Sequence, residues 1–318
     1  MSPFNATFEF RNVANSERRA QVSGWVSVVG ALLKDRHPEL DFSIVSRIIF
    51  TDDLVNTVRE SEALKMKNFP LALSLAEEQP IFAIIDGDES QLVVISSVGP
   101  FGNEAHHKAW YFVLAAELAF IDYSHRLLKT KLGKGLGRPE NVQGAIYENV
   151  SIDIMASYWR GYFGMIAEAA SDYPFDLLAL EISNTKLMIE ETLSQYSTDA
   201  NVSALSDKLL FTTKRLTCAL ALLLGYLENA KNDSLSESSY SVEQIEAGLI
   251  SLNASDLRDT LALRCRTIFA SRKEIEGVKT LYPLAECWWQ YLLSLGLHYT
   301  FDGNKVIPHY RFPDQPYH

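Results

Sequence analysis

The hydrophobic period of this chain becomes largely helical after about residue 100, and that change limits the folds open to it. Before that point helical and strand-like apolar patterns alternate, and after Gly99-Pro100 and Gly102 most apolar residues recur at helical spacing. Short apolar runs are typical of strands, whereas a period near 3.6 is typical of amphipathic helices. This spacing predicts helices over about 104–131, 145–171, 175–195, 203–230, 242–251, 255–271 and 276–296. The sequence therefore predicts an α+β fold, with a small sheet in the N-terminal half and a mostly α-helical C-terminal region.

The N-terminal part carries an ordered set of element signals. Apolar residues at helical spacing predict a helix over about 16–34, and Arg47-Ile48-Ile49-Phe50 predicts a strand. The runs 80–85 and 91–96 flank Asp86-Gly87-Asp88, and two such runs around a turn are typical of a β-hairpin. We therefore expect this hairpin to precede the helix at 104–131.

Two further signals mark turns. Thr51-Asp52-Asp53 follows the predicted strand and offers a capping side chain and acidic residues to the start of another helix, where the helix dipole favours them. Asp302-Gly303-Asn304 lies between Tyr299-Thr300-Phe301 and Lys305-Val306-Ile307. This second signal predicts a small hairpin near residue 300.

Two polar breaks interrupt the helical pattern. Ala170-Ser171-Asp172-Tyr173-Pro174 separates two predicted helices, and the serine-rich stretch 232–239 has the composition of a linker. We predict a domain at 1–172 and a helical domain at 173–318, with an internal linker at 231–241.

Charge and hydropathy bear on the class of partner. The net charge of -11 and a pI near 5.2 argue against a nucleic-acid binder that works by neutralising phosphates. The most apolar run, 218–226, is far shorter than the roughly 20 residues of a membrane span, so we predict a buried core helix and no membrane partner. The segment Met1–Asn5 lacks a basic region followed by an apolar run. A cytoplasmic protein without a signal peptide is therefore expected.

The cysteines are few and scattered along the chain, at Cys218, Cys265 and Cys287. Such spacing suggests neither a disulfide framework nor a zinc knuckle. We predict buried, reduced thiols.

A degenerate motif lies on the predicted helix 104–131. The segment is Ala116-Glu117-Leu118-Ala119-Phe120, and Trp159-Arg160-Gly161-Tyr162 lies on the next helix. Together with the preceding helix, strand and hairpin, these segments resemble the minimal zincin fold of small bacterial metallopeptidases of the ImmA/IrrE-like kind. The resemblance covers about residues 14–170. In a zincin, two histidines one helical turn apart bind zinc, and the glutamate between them deprotonates the metal-bound water.

The resemblance assigns one role to each motif residue of this chain. Ala116 and Phe120 take the two histidine positions, Glu117 takes the position of the base, and Gly161 takes the position of the third zinc ligand. None of the three residues at the ligand positions can coordinate zinc. The resemblance therefore implies a degenerate site with a vestigial base, no bound metal and no other cofactor.

The same resemblance implies a function in binding. A vestigial cleft near Glu117, Gly161 and Tyr162, lined by Phe120 and Trp159, can accept a peptide or a small ligand. The implied protein is a catalytically inactive metallopeptidase-like module with a regulatory or scaffolding role in a bacterial or phage cell, and its expected partner is another protein or peptide.

Two alternatives remain open. In the first, the chain is a hydrolase with relocated metal ligands that uses Glu117 with His125, Asp122 or a histidine from elsewhere in the chain. Asp122 and His125 are three residues apart on the helix and can share an ion, although a solvated polar face explains them as well. In the second, the chain is an unrelated helical interaction protein, and the motif is a chance match.

Two other features have both a functional and a structural interpretation. A glycine-rich basic loop can hold an anion or serve as a solvated connector, and its cations are Lys129, Lys131, Lys134 and Arg138. Aromatic residues at helical spacing are usually core, although some mark a protein-binding surface. They are Tyr158-Trp159 with Tyr162 and Phe163, and Trp288-Trp289 with Tyr291.

Overall fold

Most of the residues that the structure describes form helices, and the described strands form two small sheets. The computed structural model describes residues 6–43, 45–53, 56–57, 81–85, 92–97, 107–123, 142–165, 173–230, 242–275, 277–302 and 305–312. Within these residues, the predicted α+β class with a mostly helical C-terminal region is confirmed. The predicted hairpin turn at residues 86–88, the basic loop and the serine-rich linker lie outside the described residues.

The chain forms two compact units. The first consists of Met1–His125 and Phe163–Ser171, and the second consists of Arg126–Tyr162 and Asp172–His318. The later stretch of the second unit begins at Asp172, next to the predicted domain boundary. Its earlier stretch lies within the predicted first domain.

The first unit contains a mixed four-stranded sheet. Its elements are β1 (Thr7–Arg11), α1 (Ser16–Arg36), β2 (Val45–Thr51), β3 (Ile81–Ile85), β4 (Leu92–Ser97) and α2 (His107–Tyr123). The strand order is β1-β2-β4-β3, in which β2 runs parallel to β1 and β4, and β3 runs antiparallel to β4. The pairs Ile81–Ser96 and Ile85–Leu92 confirm the predicted hairpin.

Helix α1 lies close to its predicted bounds because its ends carry strong signals. The Asn15 side-chain oxygen accepts hydrogen bonds from the backbone N–H groups of Glu17 (2.8 Å) and Arg18 (3.2 Å). Such a cap satisfies N–H groups that have no partner inside the helix. One stripe of the helix is buried at Val22, Val26, Val29 and Leu33.

The capping prediction after β2 is also confirmed. The Asp53 carboxylate accepts a hydrogen bond from the Asn56 backbone N–H (3.1 Å), and the Asp53 carbonyl accepts one from the Thr57 N–H (3.0 Å). The hydroxyl groups of Thr51 and Thr57 lie 2.7 Å apart. A helical turn therefore begins here, and residues 58–80 lie outside the described residues.

Strand β1 is an element that the sequence analysis missed. It pairs with β2 in parallel, and its aromatic rings at Phe8 and Phe10 lie 5.7 and 5.3 Å from the ring of Phe50. The strand lies at the sheet edge and is at most half-buried, so its apolar alternation is short and weak.

The second unit is helical with one terminal hairpin. Its elements are α3 (Val142–Gly164), α4 (Tyr173–Asp199), α5 (Val202–Ala230), α6 (Val242–Ser251), α7 (Ser255–Ala270), α8 (Tyr282–Ser294), β5 (Leu297–Asp302) and β6 (Lys305–Tyr310). The last residues of α3, from Phe163 onward, belong to the first unit. The antiparallel pairing of β5 and β6 confirms the predicted hairpin near residue 300.

One predicted helix start is wrong. The pattern predicted a helix from about residue 276, whereas α8 begins at Tyr282, after a 3₁₀ turn at Val278–Leu281. Pro283 lies in the first turn of α8, where its missing N–H costs nothing and its fixed φ suits the helix. The proline therefore marks the start of the α-helix that the apolar pattern alone placed too early.

Helix α5 forms the centre of the second unit. By length and composition it is the one described helix that could cross a membrane, and 67% of its most apolar window is buried inside the structure. Core helices of soluble proteins pass the same test, so this is weak evidence for a membrane span. The predicted burial of the run 218–226 is confirmed at Leu220, Ala221, Leu223 and Tyr226.

The aromatic clusters of α3 and α8 are core residues, as the more common of the two interpretations predicts. Tyr158, Trp159, Trp288, Trp289 and Tyr291 are all buried. The Tyr291 hydroxyl donates a hydrogen bond to the carbonyl of Leu252 (3.0 Å). Their burial leaves little of these rings for a partner.

Candidate functional site

The motif residues of α2 are buried. Ala116 belongs to the core and the Glu117 side chain is only 8% exposed, whereas Phe120 is half-buried and stacks on Tyr123 at 5.9 Å between ring centroids. Helix α2 packs its apolar residues on both sides of this segment. The glutamate therefore lies inside the first unit, not on an open wall.

Ala116 occupies a tight contact between two helix segments. A Cβ atom added to Gly164, the last residue of α3, would lie 3.0 Å from both the Ala116 Cβ and the Phe112 Cε2. Because position 164 carries no side chain, the end of α3 can lie against the Ala116 methyl group and the Phe112 ring. Any side chain at position 164 would press on both groups.

Asp122 has a structural role that the sequence analysis did not foresee. Its side chain is 1% exposed, and one carboxylate oxygen accepts a hydrogen bond from the Asp41 backbone N–H (2.8 Å). The interpretation of this residue as part of a solvated polar face is therefore wrong. The buried carboxylate fixes the segment between α1 and β2 to the end of α2. His125, its predicted metal-sharing neighbour, lies outside the described residues.

Gly161 is a packing glycine of the second unit. A Cβ atom added to it would overlap the carbonyl oxygen of Leu222 on α5 and lie 2.8 Å from the carbonyl carbon. Gly225 of α5 makes the reciprocal approach, since a Cβ there would lie 2.9 Å from the Tyr162 backbone nitrogen. Two glycines thus allow α3 and α5 to cross with their backbones in contact. A ligating glutamate could not replace Gly161 at this crossing.

The aromatic residues beside Gly161 pack in the core. Trp159 is 4% exposed, and its ring lies 5.4 Å from that of Phe269 on α7; the Tyr162 ring lies 4.4 Å from the same phenyl group. Trp159 therefore does not line an open cleft, contrary to the prediction. Of the predicted cleft residues, Glu117 and Phe120 belong to the first unit, and Trp159, Gly161 and Tyr162 belong to the second.

The basic loop stays a prediction. Lys129, Lys131, Lys134 and Arg138 all lie outside the described residues. Within the described ranges, no group of three or more histidine, cysteine, aspartate or glutamate side chains is arranged to hold a metal ion.

The fold brings the scattered cysteines toward one another. They are free thiols on α5, α7 and α8; Cys265 and Cys287 are buried as predicted, whereas Cys218 is half-buried. Burial raises the pKa of the Cys218 thiol to about 12, and burial also raises the pKa of Cys265 and of Cys287. The charges of Cys287 and Cys218 raise the pKa of Cys265 further. Such thiols stay protonated near neutral pH and are poor nucleophiles.

Alkaline pH is expected to destabilise the second unit because its buried and half-buried thiols and phenols hold their protons more tightly when folded than when unfolded. Burial raises the pKa of Cys218 and of Tyr299 to about 12, and it also raises the pKa of Cys265 and Tyr291. Above roughly pH 8.5, where unfolded cysteines ionise, the unfolded chain binds fewer protons than the folded chain. The free energy of unfolding should then fall by about 1.4 kcal/mol per pH unit for each proton of difference.

Urea denaturation at about pH 7.5 and about pH 10, on either side of the ionisation of unfolded thiols, measures this effect. The midpoint should be lower at the higher pH, and the decline should be shallower in Cys265→Ala, which lacks one buried acid. Equal midpoints at the two pH values would contradict the prediction.

The second unit has a surface groove that the sequence patterns did not predict. It lies between α3 and α5, has a volume of about 430 Å³, and is lined by apolar side chains that include Ile146, Leu210 and Phe211, with Trp288 of α8 among them. We call it the α3–α5 groove. On α5, Asp207, Leu210, Phe211 and Lys214 have the spacing of one helix face, an apolar pair between two charges. This spacing is visible in the sequence and could have indicated the α5 wall of the groove.

The chain matches no known family model, no curated protein and no solved structure. Its function is therefore inferred from its own side chains.

Proposed function

We propose that this chain is a catalytically inactive metallopeptidase-like protein that works as a binding or regulatory module. The order of elements supports the proposal: α1, β2 and the β3–β4 hairpin all precede α2, the helix that carries Glu117. A purely helical interaction protein would lack this strand and hairpin. Ala116, Phe120 and Gly161, at the three ligand positions of the resemblance, have no group that binds zinc.

The packing at two of these positions carries the proposal. Ala116 lies against Gly164, and Gly161 lies against the backbone of Leu222. Both positions therefore contribute to helix packing, and at position 161 a side chain would clash with the Leu222 backbone. Positions that would hold zinc ligands in a zincin are thus used for helix packing here, and this use supports a role that needs no zinc chemistry.

The zinc content of the protein tests the proposal. We expect untagged protein, purified without chelators and then supplied with zinc and desalted, to retain much less than one zinc ion per chain by elemental analysis. Stoichiometric, tightly held zinc would overturn the proposal and favour the hydrolase with relocated ligands.

The variant Glu117→Gln is the matched control, because it removes the vestigial base and keeps the shape of the side chain. Wild type and variant should both leave a mixed pool of fluorogenic peptides uncleaved. Cleavage that a chelator abolishes and that Glu117→Gln lacks would assign the catalytic role to this glutamate and contradict the proposal.

A further inference from the structure

The α3–α5 groove has the dimensions of a helix-binding site. Its α5 wall runs from Asp207 to Lys214, and its α3 wall runs from Val142 to Val150. At a rise of 1.5 Å per residue, both walls extend for about 10–12 Å, or about two helical turns. Its volume of about 430 Å³ lies within the range of concave ligand sites.

The walls of the groove determine the secondary structure of its occupant. Because both walls are α-helices, most of their backbone N–H and C=O groups already bond within each helix; the exceptions are the N–H groups of the first turn of α3, at 142–145. An added β-strand would therefore find no continuous row of backbone partners there. Recognition must therefore depend on side chains, and an amphipathic helix presents apolar side chains while satisfying its own backbone.

Phe211 identifies the apolar anchor of the groove. Its side chain is 60% exposed, and the Arg215 guanidinium lies 5.6 Å from its ring centroid. A large exposed ring beside an apolar groove is typical of an interaction site, and aromatic residues dominate the binding energy of such sites. Leu263 on α7 is equally exposed but does not line the groove, so it provides a control.

The charges at the two ends of the groove differ. Lys214 is neutralised: its ammonium donates a hydrogen bond to the Asn149 side-chain oxygen (2.8 Å) and forms an ion pair with Asp153. At the opposite end, Asp207 is exposed and makes no ion pair with any described residue. The groove therefore presents one uncompensated negative charge, on a chain whose net charge is -11.

We propose that the α3–α5 groove binds a cationic amphipathic helix of a partner protein, with an apolar face against Phe211 and a lysine or arginine facing Asp207. This inference rests on the proposed binding function and names its site and partner class. The net negative charge of the chain favours association with a cationic partner over an acidic one, and Asp207 offers such a partner a contact at the groove.

A displayed peptide library tests the inference. The probe is a phage library of helices of about 18 residues, or five turns, with leucines fixed on one face and lysine or glutamate varied on the other. The library is selected on the full-length chain after subtraction on Phe211→Ala. We expect the enriched peptides to carry a net positive charge.

Synthetic peptides from the selection then locate the site. An enriched peptide should bind Phe211→Ala at least about tenfold more weakly than wild type, the loss typical of an interface anchor. Leu263→Ala should bind like wild type. Asp207→Lys should also weaken binding of the cationic peptide, whereas Glu190→Lys, an exposed acid on α4, should have a much smaller effect.

Three results would overturn the inference: no enrichment over Phe211→Ala, enrichment of acidic peptides, or equal losses in Phe211→Ala and Leu263→Ala. A wild-type dimer that Phe211→Ala converts to monomers would also overturn it, because a second copy would then be the occupant. Zinc binding would remove the proposed non-catalytic function and leave the groove result unchanged, since Asp207 and Phe211 lie in the second unit.

Discussion

Replacing Gly161 with alanine is expected to destabilise the second unit by about 3 kcal/mol or more, one of the largest effects available to a single methyl group. The added Cβ would overlap the carbonyl group of Leu222 and lie 3.0 Å from the Tyr226 backbone nitrogen. Backbone atoms cannot rotate away as the end of a side chain can. Helices α3 and α5 would have to separate, with loss of dispersion contacts along the whole crossing. Chemical denaturation measures the change.

Gly24→Ala is the matched control for this substitution. Gly24 also lies inside a helix, α1, but a Cβ there would meet no atom within 4 Å. Without a clash, alanine should stabilise the helix by about 0.5–1 kcal/mol through its better propensity. Replacing glycine with alanine should thus lower the free energy of unfolding at position 161 and raise it at position 24. A neutral Gly161→Ala would contradict the described approach of α3 and α5.

Replacing Trp288 with alanine is expected to cost about 3–5 kcal/mol. The indole is 1% exposed and is the largest fully buried side chain among the described residues. Its Nε1 donates a hydrogen bond to the Thr213 hydroxyl on α5 (2.9 Å), so the side chain joins α8 to the central helix. Truncation would remove this bond and leave a cavity that rigid helices cannot fill. The free energy of unfolding measures the loss.

Trp288→Phe separates the two contributions. A phenyl ring fills most of the space but cannot donate the hydrogen bond. The Thr213 hydroxyl keeps another partner, because it donates to the Leu209 carbonyl (2.6 Å). We therefore expect a smaller loss, about 1–2 kcal/mol. A loss in Trp288→Ala no larger than that in Trp288→Phe would show that the cavity is not the main cost.

Much of the fold could be predicted because local signals and tertiary structure agree. Helix α1 has both a capping asparagine at Asn15 and a buried apolar stripe, and the β3–β4 hairpin has two apolar runs around a turn. In contrast, β1 is a short edge strand that depends on its parallel pairing with β2. No local feature of residues 7–11 reveals that pairing. The start of α8 could have been predicted from Pro283, because the preference of proline for the first turn of a helix indicates the start better than the apolar spacing does.

The candidate site was less predictable because its residues act through partners distant in sequence. The close packing of Gly161 depends on Leu222, and the burial of Asp122 depends on the Asp41 backbone. The chemistry that Ala116, Phe120 and Gly161 lack could be read directly from the sequence. The contacts that occupy their places could not, because a helical pattern does not specify which helices cross. The α3–α5 groove arises from the same kind of crossing.

The threading of the chain through its two units affects how the protein can be made. During synthesis, the segment Phe163–Ser171 leaves the ribosome only after most of α3. The first unit is therefore incomplete until this segment has been translated. A fragment that ends at His125 lacks the Gly164 backbone against which Ala116 packs. A fragment that begins at residue 173 contains α5 without the helix that crosses it. Neither unit is a contiguous module that can be expressed alone or exchanged intact between genes.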